Sequence, residues 1–208
     1  VTVTTKAENG YKMTAKELES AITDKTVAII INSPCNPTGA VYSKKELLSI
    51  AAVCEKHGLM IISDEIYEKL IYDGNTHVSI AALSDYAFNN TVVVNGVSKT
   101  YAMTGWRIGY LAAPKQLAAV ISRVQGHTTS NATSFCQYAA LTALNGGSEI
   151  VDMMRDSFDK RRKLMLKLAE DLGLNAIKPE GAFYMFLDIK PFIGKSVDGK
   201  KITGSMSF

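Results

Sequence analysis

The sequence predicts an α/β fold with a mostly parallel sheet sandwiched by helices. Short apolar runs rich in β-branched residues alternate with longer amphipathic segments along the first half of the 208-residue chain. This alternation is typical of a parallel sheet whose strands are connected through helices. Polar residues follow directly after several apolar runs, which is where open α/β sheets place their ligand-binding groups.

Four apolar runs predict the strands of this sheet. They span residues 26–31, 59–62, 91–94 and 107–113, and the last run ends at Pro114. Between the first two runs, Ser43-Lys44-Lys45-Glu46 has the pattern of a capping box, which predicts the start of a helix. Gly58 predicts the end of that helix.

Helical patterns dominate the second half of the chain. They span residues 114–125, 134–144 and 149–172, and residues 181–189 return to a strand pattern. The third helix is long enough to bridge two domains. We therefore expect residues 1–148 to form part of a large domain, residues 149–173 a bridging helix, and residues 174–208 part of a small C-terminal domain.

Composition and charge exclude several classes of protein. The chain is 47% hydrophobic and 21% charged, which is typical of a soluble globular protein, and its net charge of +3 is too small to indicate nucleic-acid binding. The basic cluster 160–163 predicts a solvated helix face. No apolar stretch predicts a membrane span, and no signal peptide is expected. Three widely spaced cysteines predict reduced thiols in a cytoplasmic protein, without a zinc site or disulfide framework.

A lysine and an arginine follow the third predicted strand. Lys99 lies just beyond the run 91–94, and Arg107 follows eight residues later. A lysine amine can form a Schiff base with an aldehyde, and a guanidinium can bind a phosphate through paired donors. The combination suggests pyridoxal phosphate.

Polar residues after the first two strands could serve the same cofactor. Asp64 could keep a pyridine nitrogen protonated, which makes the ring an electron sink. Tyr67 and Asn36 could donate hydrogen bonds to the ring 3-oxygen. Taken singly, these residues also fit a helix N-cap, a half-buried tyrosine and a turn. Their joint placement at strand ends of one predicted sheet favours a site.

Three motifs resemble the aspartate aminotransferase family of pyridoxal-phosphate enzymes, the class I group of the fold-type-I architecture. They are Asn36-Pro37-Thr38-Gly39, Ser63-Asp64-Glu65-Ile66-Tyr67 and the stretch from Ser98 to Tyr110, in the order and spacing of the family. Gly181-Ala182-Phe183-Tyr184 extends the resemblance towards the end of the chain. The motifs are most similar to those of the bacterial aspartate aminotransferase-like branch.

The resemblance implies catalytic roles for Lys99, Asp64 and Tyr67. Lys99 would form the Schiff base and then move a proton between the substrate Cα and the cofactor. Asp64 would pair with the pyridinium nitrogen, and Tyr67 would bond the 3-oxygen. The implied cofactor-binding residues are Lys99, Asn36, Asp64, Tyr67, Ser98, Arg107 and Ile66, with Ser98 and Arg107 at the phosphate and Ile66 against the ring.

One position departs from the pattern of part of the family. Where some members have a hydroxyl residue three positions before the lysine, this chain has Gly96. The resemblance therefore implies that phosphate binding depends more on Ser98 and Arg107.

The resemblance also implies family parts that this sequence does not show. It covers the middle of a polypeptide roughly twice as long. The expected absent parts are a glycine-containing phosphate loop, a stacking aromatic, a tyrosine from the neighbouring subunit and an arginine for the substrate carboxylate. The last arginine here is Arg162. We expect an active full-length parent and a 208-residue piece that binds cofactor poorly.

The expected activity is transfer of an amino group between an amino acid, aspartate being favoured, and a 2-oxo acid, 2-oxoglutarate being favoured. A cytoplasmic homodimer without nucleic-acid or membrane partners is expected. Alternatives are a carbon–sulfur β-lyase on the same cofactor, an aminotransferase for aromatic residues or alanine, and a non-catalytic regulatory module of the same fold. Retention of the site residues disfavours the regulatory module and also a structural domain without ligand.

Overall fold

A four-stranded sheet forms the centre of the structure, a computed structural model that describes residues 1–208. Its strands are β1 (Ala28–Asn32), β2 (Met60–Asp64), β3 (Thr91–Gly96) and β4 (Gly109–Ala112). They lie side by side in that order; β1, β2 and β3 are parallel, and β4 runs antiparallel to β3. The predicted α/β class with a mostly parallel sheet is confirmed.

Six α-helices flank the sheet or follow it. They are α1 (Ala15–Ala21), α2 (Lys44–His57), α3 (Asp85–Asn90), α4 (Lys115–Thr128), α5 (Ser134–Asn145) and α6 (Glu149–Asp171). The four predicted helices correspond to α2, α4, α5 and α6. The short helices α1 and α3 were not predicted. None of the helices combines the length and apolar character that crossing a bilayer requires.

Local sequence determines where α2 begins and ends. The Ser43 side chain accepts a hydrogen bond from the Glu46 N–H, and the Glu46 carboxylate accepts one from the Ser43 N–H. Gly58 ends the helix in the left-handed region, at a φ of 64°. The predicted capping box and terminating glycine are both confirmed.

One face of the sheet packs against helices and forms the main core. Successive strand residues point to opposite faces, so alternate residues of β1 and β2 enter this core. The innermost members are Ile29, Ile31 and Ile61 of the sheet and Leu47, Ile50 and Cys54 of α2. Because α2 connects β1 to β2, burial of its apolar side fixes both strands in parallel.

The opposite face of the sheet is covered less completely. Ile30 is 74% exposed on this face. Val94 and Leu111 line a cavity of about 1180 Å³ together with residues of α4 and α5. Helices therefore flank the sheet on this side too, but they leave the cavity between themselves and the strands.

The C-terminal part contains only short strands. They are β5 (Asn175–Ala176) paired with β6 (Leu187–Asp188), and β7 (Ser196–Val197) paired with β8 (Lys200–Lys201). The strand predicted at 181–189 is thus wrong for most of its length. The Gly181 and Ala182 N–H groups instead donate to the carbonyls of Gly39 and Leu70. These bonds hold the segment against the loops that follow β1 and β2. The three-part division at residues 148 and 173 stays a prediction.

Arg162 is buried, although the sequence predicts a solvated helix face at 160–163. Its side chain is 5% exposed and forms an ion pair with Asp73 at 2.7 Å. The guanidinium also donates to the Asp159 carboxylate and to the Pro179 carbonyl, each at 2.8 Å. The prediction was wrong for this residue because Asp73 lies far away in sequence and provides the partner that a buried charge requires.

Two glycines allow the loop after β1 to touch the segment after α6. Gly39 has a φ of +71°, and a Cβ there would lie 2.3 Å from the Pro179 Cβ. A Cβ on Gly181 would lie 2.6 Å from the Pro34 Cβ. The Glu180 and Gly181 N–H groups both donate to the Gly39 carbonyl at 2.9 Å. Only residues without side chains permit this approach.

We expect Gly39→Ala to destabilise the full-length protein by about 3 kcal/mol or more, because it adds overlap with Pro179 to left-handed strain. Gly58→Ala is the matched control, since Gly58 has a φ of +64° but nothing within 4 Å of the added Cβ. It should cost about 1–2 kcal/mol from strain alone. Urea denaturation measures both free energies of unfolding. Equal losses would contradict the close approach.

Candidate active site

The carboxyl ends of three strands meet at one edge of the sheet. Asn32, Asp64 and Val94 are register partners on β1, β2 and β3. The Asn32 side chain donates to the Asp64 carbonyl at 3.1 Å and accepts from the Asn36 N–H at 2.8 Å. Asp64 Oδ1 accepts from the Ile66 N–H at 3.1 Å. The loops after β1 and β2 are therefore held to the same corner, where ligands bind in this class of sheet.

Lys99 reaches this corner from the turn that follows β3. Its Nζ lies 5.8 Å from the centroid of the Tyr67 ring and 5.7 Å from that of the Phe183 ring. The turn is closed by the Thr104 hydroxyl, which donates to the Ser98 carbonyl at 3.1 Å. The amine thus lies beside two aromatic rings that limit its contact with water and attract its charge.

Tyr67 is the most enclosed of the predicted site residues. It is 2% exposed, and its hydroxyl lies 2.8 Å from the Tyr184 hydroxyl. Burial raises the pKa of the Tyr67 phenol, and the Tyr184 hydroxyl and the Asp64 carboxylate raise it further. The phenol therefore stays protonated near neutral pH and can act as a hydrogen-bond donor.

The remaining predicted residues lie closer to solvent. Asn36 and Arg107 are exposed, and Ser98 and Ile66 are half-buried. Arg107 has a φ of +53°, and its Nη1 donates to the Thr104 carbonyl at 2.9 Å. A guanidinium has five N–H donors, so this contact leaves others available for an anion.

Gly96 has no room for a side chain. A Cβ there would lie 2.9 Å from the Ile108 carbonyl oxygen and 3.2 Å from the Ile66 Cδ1. The antiparallel pairing of Gly96 with Gly109 brings these backbones together. A hydroxyl residue three positions before Lys99 is therefore excluded by sterics in this chain, which explains the departure noted in the sequence.

Sequence reasoning missed Glu65, which is buried between Asp64 and Tyr67. Its carboxylate accepts from the hydroxyls of Ser63 (2.9 Å) and Ser79 (2.8 Å) and lies 2.8 Å from the His77 Nε2. Burial alone would raise the pKa of Glu65, but hydrogen bonds from His77, Ser79 and Ser63 outweigh it and hold the pKa below its usual value. The cluster fixes the backbone that positions Asp64 and Tyr67.

The sequence also assigned no role to Phe183 and Tyr184. Both rings contact Tyr67 edge-on, with centroids at 5.3 Å and 5.8 Å. Their contact with Tyr67 bridges more than a hundred positions, so no local pattern indicates it. The one available signal was the motif Gly181-Ala182-Phe183-Tyr184, which resembles the family without indicating what it touches.

The large cavity beside β4 is a separate feature. Its lining comes from β3, β4, α4, α5 and the neighbouring loops. None of the seven predicted cofactor-binding residues lines it. The chemistry-bearing side chains therefore lie at the strand ends and not in this cavity.

Comparison with known proteins identifies the family. Residues 1–198 match the family model of class I and II aminotransferases. The chain belongs to this family. The resemblance inferred from the three motifs is confirmed.

Individual relatives agree with this assignment. The chain is 50% identical over 184 residues to an aspartate aminotransferase of Bacillus subtilis, covering 88% of this chain and 47% of the relative. It is 44% identical over 191 residues to an asparagine–oxo-acid transaminase of Streptococcus mutans, covering 91% and 49%. The aspartate aminotransferase structure from Rhizobium meliloti matches with a TM-score of 0.92 at 39% identity, covering 97% and 51%. The chain spans about half the length of the curated relatives it matches.

The family assignment implies pyridoxal 5′-phosphate as the cofactor. The donor set of the site fits this molecule. An amine (Lys99) suits the aldehyde, a carboxylate (Asp64) the ring nitrogen, a protonated phenol (Tyr67) the ring oxygen, and a guanidinium (Arg107) the phosphate. No metal-binding group is needed for this set.

We expect Glu65→Gln to lower the free energy of unfolding of the full-length protein by about 1–3 kcal/mol at pH 7, because the charged hydrogen bonds are lost. Since the folded-state pKa of Glu65 is lowered, its charge stabilises the protein above the unfolded pKa of about 4.3, and this contribution is lost as pH falls through the folded pKa. The deficit of the variant should therefore shrink below about pH 5.

Urea denaturation at stepped pH measures this deficit. Glu55→Gln is a suitable control, because Glu55 is exposed on α2. A deficit of constant size between pH 7 and 3 would mean that the charge of Glu65 makes no contribution.

Proposed function

We propose that the full-length protein containing this chain is a pyridoxal-phosphate-dependent aminotransferase, which moves an amino group between an amino acid and a 2-oxo acid. The observation that most supports this proposal is the position of Lys99 Nζ, beside Tyr67 and at the same sheet edge as Asp64. An amine, an acid and a protonated phenol at one corner meet the chemical requirements of this reaction.

In this proposal the cofactor, when bound, supplies an electron sink for the pair left when a proton departs from the substrate Cα. Lys99 Nζ would accept that proton from the substrate Cα and deliver it to the cofactor carbon C4′, on the other side of the nitrogen that joins substrate and cofactor. The rings of Tyr67 and Phe183 flank the amine and limit its contact with solvent, which slows exchange of the proton with water.

The other residues hold and orient the cofactor. The Asp64 carboxylate pairs with the ring nitrogen and keeps it protonated. The Tyr67 hydroxyl donates to the ring oxygen, with Asn36 as a second donor. Ile66 packs against the ring. Ser98 and Arg107 bind the phosphate. Both residues are hydrogen-bonded to Thr104, which holds them in one turn after β3.

Names of relatives support aspartate as the amino donor, and 2-oxoglutarate is proposed as its acceptor from the resemblance alone. The three first matches, at 50%, 49% and 47% identity, are aspartate aminotransferases. An aromatic-amino-acid aminotransferase of Thermococcus litoralis, at 46% identity, favours aromatic specificity as the second candidate. Aspartate is preferred because the higher matches are all aspartate aminotransferases.

Assembly, location and domain organisation complete the proposal. We propose a homodimer in the cytoplasm, with residues 1–148 in the cofactor-binding domain, 149–173 as the bridging helix and 174–208 in the small domain. The free thiols of Cys35, Cys54 and Cys136 are compatible with a reducing compartment.

Borohydride treatment tests the nucleophile. In the full-length protein incubated with pyridoxal phosphate, reduction should fix the cofactor on Lys99, and peptide mapping should locate it there. Lys99→Ala should lose the label and reduce transamination by roughly 10²- to 10⁴-fold, since proton transfer is lost. Lys69→Ala, at an exposed lysine in the loop of Tyr67, should retain both. A label on another lysine would refute the assignment.

Steady-state kinetics test the reaction and its substrates. With 2-oxoglutarate as acceptor, kcat/KM for aspartate should exceed that for phenylalanine or alanine by about tenfold or more. A site that pairs the side-chain carboxylate of aspartate leaves its own polar groups unpaired when an uncharged side chain binds. A preference for phenylalanine would establish the aromatic alternative. Release of pyruvate and ammonia from a cysteine conjugate, without transfer to the oxo acid, would establish a β-lyase.

A further inference from the structure

Tyr67 and Tyr184 form a pair of phenols at the candidate active site. Their hydroxyl oxygens lie 2.8 Å apart, and their rings meet edge-on at an angle of 79°. Tyr67 bears an implied cofactor role, whereas the motifs assign no role to Tyr184. Two hydroxyls at this distance share one hydrogen bond, so one donates its proton to the other and the second proton points elsewhere.

The backbone around Tyr184 is fixed to the loop that contains Tyr67. The Ala182 N–H donates to the Leu70 carbonyl at 2.9 Å, and the Tyr72 hydroxyl donates to the Ala182 carbonyl. Both acceptor and donor on the loop lie within five residues of Tyr67. The two phenols therefore keep their contact as a property of the fold, without depending on a mobile side chain.

We propose that Tyr184 is a positioning residue whose hydroxyl donates to the Tyr67 oxygen and so directs the Tyr67 proton towards the ring oxygen of the cofactor. This inference rests on the proposed binding of pyridoxal phosphate. In the reverse arrangement Tyr67 would donate its only hydroxyl proton to Tyr184. It would then present lone pairs to the cofactor oxygen, which is itself an acceptor.

Cooperativity gives the arrangement its effect. A hydroxyl that accepts a hydrogen bond becomes a stronger donor, because the two bonds polarise each other in a site of low dielectric. Tyr67 is buried in a cluster with Leu70 and Ala182, and Ile66, Met154, Phe158 and Tyr184 pack against this cluster. Tyr184 therefore strengthens the Tyr67 donation without touching the cofactor itself.

Few charged groups compete with this pair. The titratable groups that face Tyr67 are Asp64 on β2, Lys99 on the turn after β3, and Tyr184 itself. Helix α6 contributes Met154 and Phe158 to the cluster, and its charged Arg161 and Arg162 line a small pocket that Tyr184 also lines. The pH dependence of the cofactor absorbance should therefore change when the Tyr184 hydroxyl is removed.

The pH dependence of the visible absorbance of the cofactor-loaded, full-length protein tests this inference. Tyr184→Phe should raise the pH midpoint by about half a unit, because a ring oxygen with a weaker donor is more basic and holds its neighbouring proton to higher pH. Tyr67→Phe should raise it further. In the Tyr67→Phe background, adding Tyr184→Phe should have no additional effect.

Tyr86→Phe is the matched control, since Tyr86 is half-buried and its hydroxyl bonds the Leu59 carbonyl at 2.8 Å, within the main core. Its midpoint should equal that of the unsubstituted protein. An unchanged midpoint in Tyr184→Phe, or an equal shift in the Tyr67→Phe background, would overturn the inference and leave the proposed function standing. A protein that develops no cofactor band would overturn both.

A second measurement needs no substitution. In protein labelled with ¹³C at the tyrosine Cζ, deoxypyridoxine 5′-phosphate, which has the ring oxygen but no aldehyde, should shift the resonances of Tyr67 and Tyr184 together. A shift confined to Tyr67 would show that Tyr184 does not transmit to the site.

Discussion

The parallel register of β1, β2 and β3 is the constraint on which the rest of the structure depends. Because Asn32, Asp64 and Val94 are paired across the sheet, three loops leave it at the same edge. Burial of α2 against β1 and β2 maintains that register, since a slip by one residue would turn the core side chains outward. The closeness of Lys99 to Tyr67 follows from this alignment.

Buried polar groups convert the aligned strand ends into a fixed site. Glu65 satisfies its carboxylate with two serines and His77, which ties the loop of residues 65–79 to the end of β2. Arg162 ties the same loop to α6, because its guanidinium donates to the Asp73 carboxylate. Each buried charge has its partners, so neither exposes an unsatisfied group to the apolar interior. The loop between them has little freedom to move Tyr67.

Close backbone contact brings the last part of the chain to the site. Gly39 and Gly181 approach to distances that no side chain would permit, and the rings of Phe183 and Tyr184 follow from that contact. These two rings complete the surroundings of Tyr67 and the Lys99 amine. A motif near the end of the chain therefore belongs to the same site as the motifs of the first half.

The sequence by itself determined the α/β class, the limits of α2, and the placement of Asp64 and Lys99 at the carboxyl ends of strands. The sequence pattern put Asp64 just beyond its strand, whereas it is the last residue of β2; Lys99 does follow β3. These features depend on local periodicity, capping residues and turn chemistry, which neighbouring residues express. Only the tertiary structure decided the burial of Arg162 and the pairing of Tyr67 with Tyr184. Their partners lie 89 and 117 residues away, and contacts at such separations are set by packing, to which no local pattern is sensitive.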